Sequence, residues 1–178
     1  WVLHSTSLSL WLQESEISRA TIGWMSALTL VYALNFLVAP ALDHIQLPWL
    51  SKKVGHRKAW IILCQTIIFL SLLSWTLFSP STNLLIIAII GLVIGTASAS
   101  QDVVIDALRI EQINENEKPA MAAGAAMATI GWLSGYKLGG MISLFTSEFF
   151  ESLGFDNYWQ MTFAALSAVM VITNLLLI

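Results

Sequence analysis

The stretch GTASASQDVVIDALRIE sets four ionisable side chains, Asp102, Asp106, Arg109 and Glu111, directly behind the almost purely apolar run LLIIAIIGLVI. Read as a helix, it puts Asp102 and Asp106 at i, i+4, with Arg109 three residues beyond Asp106. The three then share one face with Gly95 and Ser98, and Gln101 lies about 100° round from it. A carboxylate so placed can take up and release a proton, and the amide of Gln101 can hydrogen-bond the amides or hydroxyls of a solute. Counted back from a helix end near Arg109, Asp102 is about 10 Å deep and Asp106 lies within about a turn of the boundary. An ionised Asp in hydrocarbon costs at least ~2.5 kcal/mol, so Asp102 is expected to face a wet cavity or a bundle interior. Asp106 and Arg109 are expected to pair and pin the helix end as a structural clamp. The clamp reading also stays open for Asp102.

Other residues could do related work. Lys137 stands 18 residues beyond Pro119 in a long apolar stretch, about 27 Å along a helix and too far for a direct bridge to Asp102. It either snorkels outward or lines a vestibule as an anion contact. Gly131, Gly135 and Gly139 recur every four residues, making a ridge that permits close helix packing, with Lys137 projecting away from it. Asp43 ends one apolar stretch, and Lys52, Lys53, Arg57 and Lys58 precede the next. A helix-end carboxylate facing cations can latch two helices and release them when the protein changes state, which makes Asp43 and Arg57 the candidates. Lys52 and Lys53 read as topology signals. His44 and His56 titrate near neutrality but are expected to be solvated loop residues.

The elements that must carry these residues follow from composition. The 178 residues are 57% hydrophobic and 11% charged, with a mean hydropathy of +0.75, whereas a soluble domain is roughly a quarter charged. The class is a membrane protein. Eight Trp and eight Phe suit interfacial belts and bundle packing, and a net charge of −3 excludes a basic nucleic-acid surface. Cys64 is the only cysteine, so it forms no intrachain disulfide and is expected to be a lipid-facing or core thiol. There is no metal-ligand cluster, Ser–His–Asp set or Gly-rich phosphate loop, so neither a catalytic residue nor a cofactor is expected.

Helices crossing ~30 Å of hydrocarbon need about 20 residues. Residues 18–42, 58–78, 84–109, 119–145 and 159–178 meet that standard, and 1–12 read as the tail of a preceding helix. The expected fold is an all-α polytopic transmembrane bundle forming one unit over 1–178. Lys52, Lys53, Arg57, Lys58, Arg109 and Lys118 fall in or beside alternate loops, against Arg19 alone on the other side. By the positive-inside rule those loops, the N-terminus and the end of the last helix are expected to be cytoplasmic. Six helices with a long basic loop between the second and third suggest the N-terminal half of a transporter built from two six-helix units, with the first helix truncated.

The residues also resemble a known family. ASQDVVIDALRIE resembles the fourth-helix signature of the AmpG-type muropeptide permeases of the major facilitator superfamily, close to S-Q-D-I-V-I-D-A-Y-R. LWLQESEISRATIGWMSALTLVYALNFLVAPALD resembles that family's first loop and second helix, and GAAMATIGWLSGYKLGGMIS its fifth helix. The resemblance covers essentially the whole chain. It implies proton-driven import of anhydro-muropeptides across the bacterial inner membrane, for cell-wall recycling, with a second, C-terminal six-helix half completing the site. Three positions depart from the family: Leu108 for Tyr, Lys137 for Arg, and His44 for Arg after Asp43. Losing Arg gives up bidentate recognition of a carboxylate or phosphate.

Two further readings stay open. One is transport of another anionic conjugate, such as a coenzyme thioester, by the same wall. The other is a non-transporting six-helix scaffold that dimerises through the glycine ridge.

Overall fold

Every backbone polar group inside a bilayer must be satisfied within its own segment, which leaves an apolar sequence of this kind little option but helix. The computed structural model describes residues 2–27, 30–113 and 118–175, and among them no strand occurs. The helices are α1 (Val2–Glu14), α2 (Arg19–Ser26), α3 (Leu30–Ala33), α4 (Asn35–His44), α5 (Leu50–Val54), α6 (His56–Trp75), α7 (Pro80–Gln112), α8 (Lys118–Ser152) and α9 (Tyr158–Leu175).

Local chemistry sets most of the boundaries. Ser18 caps α2 by accepting a hydrogen bond from the Thr21 N–H at 3.2 Å, satisfying a donor with no partner inside the helix. Pro80 opens α7, where its missing N–H costs nothing. Gly154 ends α8 with φ +81°, and the Gly154 and Phe155 N–H groups turn back to the Glu151 and Phe150 carbonyls. That is the left-handed C-terminal motif glycine permits, and Phe155 packs its ring edge-on against Phe150. Gly55, at φ +90°, makes the turn from α5 into α6.

The helices depart from the segments read off hydropathy in three ways. The 18–42 segment is divided among α2, α3 and α4. Leu34 leaves helical geometry at φ −95°, ψ 4°, and Leu37 N–H reaches back only three residues, to the Leu34 carbonyl. Pro40 inside α4 adds a second weak point, having no N–H for the Phe36 carbonyl. The 119–145 segment continues as helix to Ser152, because polarity ends a hydrophobic stretch but only a backbone break ends a helix. The 84–109 segment lies within the longer α7, which kinks at Asn83.

α6 packs against α7 and α9, α8 against α9 and α1, and α4 against α7. The main core sits where α1 and α6 end and α9 begins. Trp11, Trp75 and Phe163 are buried there, with Phe163 5.0 Å from Trp11 and 5.1 Å from Trp75 between ring centres. A smaller core of Leu42, Ile61 and Val104 joins α4, α6 and α7 near the opposite end. Cys64 is a buried free thiol. Among the described residues, α6 and α7 are long and apolar enough to cross a membrane, and Tyr158–Ile172 is a shorter apolar helix.

Candidate functional site: charges at one end of the bundle

α4 ends, α6 begins and α7 ends at the same end of the bundle, opposite the turn at Ser79. Arg57, one residue into α6, joins all three elements. Its guanidinium lies 2.5 Å from Asp43 on α4 and 2.8 Å from Glu111 on α7, and Nε donates to the Glu111 carboxylate at 2.9 Å. The planar fork of Arg suits this double engagement, which the point charge of Lys does not reproduce. The Arg57 side chain is only 16% exposed, whereas Asp43 and Glu111 are 51% and 54% exposed. The hydrogen bond from Arg57 holds the Asp43 carboxyl below the usual carboxylate range, against a smaller opposing effect of burial.

Neutral hydrogen bonds hold the α4 side of this arrangement. His56 Nε2 donates to the Leu42 carbonyl at 2.9 Å, and Trp60 Nε1 donates to the Ile45 carbonyl at 2.9 Å. His56 is therefore a tie between α6 and the end of α4, a correction to its expected role as a solvated loop residue. His44 Nδ1 donates to the Pro40 carbonyl of its own helix at 2.8 Å.

Further residues from the opening stretch meet α8. Arg109 pairs with Asp106 at 3.0 Å and points Nη1 at the Gly124 carbonyl, 3.5 Å away. A Cβ built on Gly124 would lie 3.3 Å from Ile113 Cδ1 and 3.4 Å from Arg109 Cδ, so glycine sets how closely α8 approaches the end of α7. The α7 face is buried at Gly95 and Ser98 and becomes exposed at Asp102 and Asp106, with Gln101 half-buried beside it. Lys137 is exposed on α8. Of the glycine ridge only Gly139 is buried. Nothing lies within 4 Å of a Cβ on Gly131 or Gly135, so among the described residues these two glycines meet no neighbouring helix.

Sequence reasoning noted Glu111 without assigning it and passed over Gly124 and Glu14. Glu111 carried a signal in its charge at a helix end, but nothing local showed that Arg57, 54 residues away, would reach it. Glu14 accepts from Tyr158 Oη at 2.7 Å and Trp159 Nε1 at 2.6 Å, tying the end of α1 to the start of α9.

The sequence profile of the Major Facilitator Superfamily matches residues 1–178, the whole chain. The chain belongs to that superfamily. Within it, the chain is 34% identical over 146 residues to "Putative transporter AmpG 1" of Rickettsia conorii, an alignment covering 82% of this chain and 34% of that protein. Its similarity to AmpG 4 of the same organism is 29% over 177 residues, 99% of this chain and 41% of the relative. AmpG 3 of Rickettsia prowazekii matches at 33% over 139 residues, 78% of this chain and 32% of the relative. The chain thus spans between about a third and two fifths of the length of these superfamily relatives.

Proposed function

We propose that the chain forms one wall and one gate of a proton-coupled secondary transporter importing anhydro-muropeptides across a bacterial inner membrane. The basic end, the N-terminus and the end of the last helix face the cytoplasm, and a C-terminal six-helix half supplies the opposing wall. The observation that carries the reading is the Arg57 junction. A single cation holding carboxylates on two helices is a contact that forms or breaks when those helices shift, as alternating access requires. The relatives are named as transporters, and the muropeptide is the cargo that the resemblance to the AmpG-type permeases implies.

In this reading Asp102 exchanges the coupled proton, Gln101 hydrogen-bonds substrate amides or hydroxyls, and Lys137 contacts an anionic group. Asp43, Arg57 and Glu111 form the latch, and Asp106 with Arg109 supports the helix end. The Lys at 137, where the resembled family carries Arg, favours a second reading in which the cargo is another anionic conjugate. The test uses the complete protein in vesicles under an imposed pH gradient. Asp102→Asn is expected to abolish accumulation of an anhydro-muropeptide while leaving exchange across the membrane partly intact. Accumulation at the wild-type level would remove Asp102 from coupling. Transport of a coenzyme thioester in place of the muropeptide would select the second reading.

A further inference from the structure

The segment between α4 and α6 has a composition that the latch does not use. From His44 to Lys58 there is no acidic residue, while Lys52, Lys53 and Lys58 are all present and all exposed. Asp43, the nearest carboxylate, is held by Arg57. Trp49 is 72% exposed, and Lys53 Nζ sits 4.3 Å above its ring. Ile45 is also exposed. An open cavity of about 470 Å³ lies behind this surface, lined by Gln46, Leu47, Pro48, Ser51, Lys52 and His56. The helix α6, long and apolar enough to cross a membrane, begins at His56, and in the proposed orientation this puts the surface at the edge of the apolar layer.

Exposed Trp beside lysines at that level is the chemistry of the headgroup boundary. The indole sits among glycerol and carbonyl groups, and each ammonium attracts anionic phosphate. Lysines spread over a few residues suit a fluid headgroup layer better than a single rigid phosphate pocket, which Arg forks would serve. We propose that the 45–58 segment is a docking surface for anionic phospholipid, with Lys52, Lys53 and Lys58 contacting headgroup phosphates and Trp49 inserted at the boundary. The bound lipid lies directly beside Arg57 and so loads the helix end that carries the latch. This inference rests on the membrane orientation and the latch of the proposed function but not on what is transported.

The test is lipid retention by the complete protein in mild detergent, after washing by size exclusion, with bound lipid quantified by mass spectrometry of the extract. Wild-type protein is expected to retain dioleoylphosphatidylglycerol over dioleoylphosphatidylcholine. The triple variant Lys52→Gln/Lys53→Gln/Lys58→Gln should weaken that retention on the order of a hundredfold, from the known attraction per surface cation. The triple Lys→Arg variant should keep it, and Trp49→Ala should lose part of it. Equal retention of both lipids, unchanged retention in the Gln variant, or displacement of the lipid by inorganic phosphate would overturn the proposal. Should the Gln variant fail to fold, the wild-type protein still decides the matter. Its phosphatidylglycerol retention must fall as salt rises to about 0.5 M, and retention that persists there overturns the proposal.

Discussion

Where α1 and α6 finish, Trp11, Trp75 and Phe163 are buried against one another. At the opposite end Arg57 grips Asp43 and Glu111, whose carboxylates stand half in solvent. The aromatic end gains from dispersion and shape, which neither salt nor pH alters, and a shift of one helix would open a void. Glu14 adds charge-assisted hydrogen bonds from Tyr158 and Trp159 there. The ionic end gains from charges that water and counter-ions replace at little cost once they part. On the proposed reading the aromatic end would hold while the ionic end releases, which is the asymmetry a gate needs.

Substitutions in three places probe that contrast, here in descending order of their expected effect on thermal stability. Phe163→Ala removes the ring between Trp11 and Trp75. Because lipid is itself apolar, the transfer part of the usual penalty largely disappears and the cavity part remains. The expected loss is roughly 2 kcal/mol, read as a fall in melting temperature that is the same at low and high salt. A salt-dependent loss would mean that the two ends are coupled and the contrast is false.

Gly124→Ala should cost under about 1 kcal/mol, since Ile113 and the flexible Arg109 chain must give by only a few tenths of an ångström. Gly124→Leu, measured beside it by thermal unfolding, should cost clearly more. Equal values for the two would mean that α8 does not approach α7 as closely as the structure places it.

Arg57→Gln should change the melting temperature least, because both carboxylates it releases stand half in solvent, yet slow transport by the complete protein several-fold. Arg57→Lys should restore only part of the rate, having lost the fork that reaches both carboxylates. The pH response has a definite sign. The folded-state pKa of Asp43 is lowered by Arg57, so its contribution is complete above the unfolded value near pH 4 and is lost as pH falls through the lower folded value. Transport controlled by the latch should therefore respond to salt but show no Asp43-dependent titration between about pH 6 and 8. A titration there that Asp43→Asn abolishes would break the assignment.

The helical class and the alternation of basic loops with loops poor in Lys and Arg were legible because they depend on hydropathy and charge read locally along the chain, and the superfamily resemblance was legible from motifs such as ASQDVVIDALRIE. The stop at Gly154 and the start at Pro80 likewise follow from single residues whose backbone preferences act without neighbours. The division of 18–42 was not legible, because hydropathy does not register a backbone that leaves helical geometry at Leu34. The pairing of Asp106 with Arg109 was readable from i, i+3 spacing. Arg57 with Asp43 was readable as two opposite charges flanking one loop.

Glu111 could not be assigned from sequence, since its reach to Arg57 exists only after α6 and α7 pack side by side. The glycine ridge shows the same limit from the other direction. Four-residue spacing says that Gly131, Gly135 and Gly139 allow close approach, but only the packed bundle decides that Gly139 is covered while Gly131 and Gly135 meet nothing among the described residues. Gly124, one of several small residues in MAAGAAMA, became the point of contact with α7 for the same reason. By itself the sequence determined which residues must form helix and which loops carry the positive charge, because both are set by the transfer of individual groups between water and hydrocarbon. Only the tertiary structure decided which charges meet and which small residues touch, because contacts between distant segments depend on how the helices pack, and no local energy encodes that.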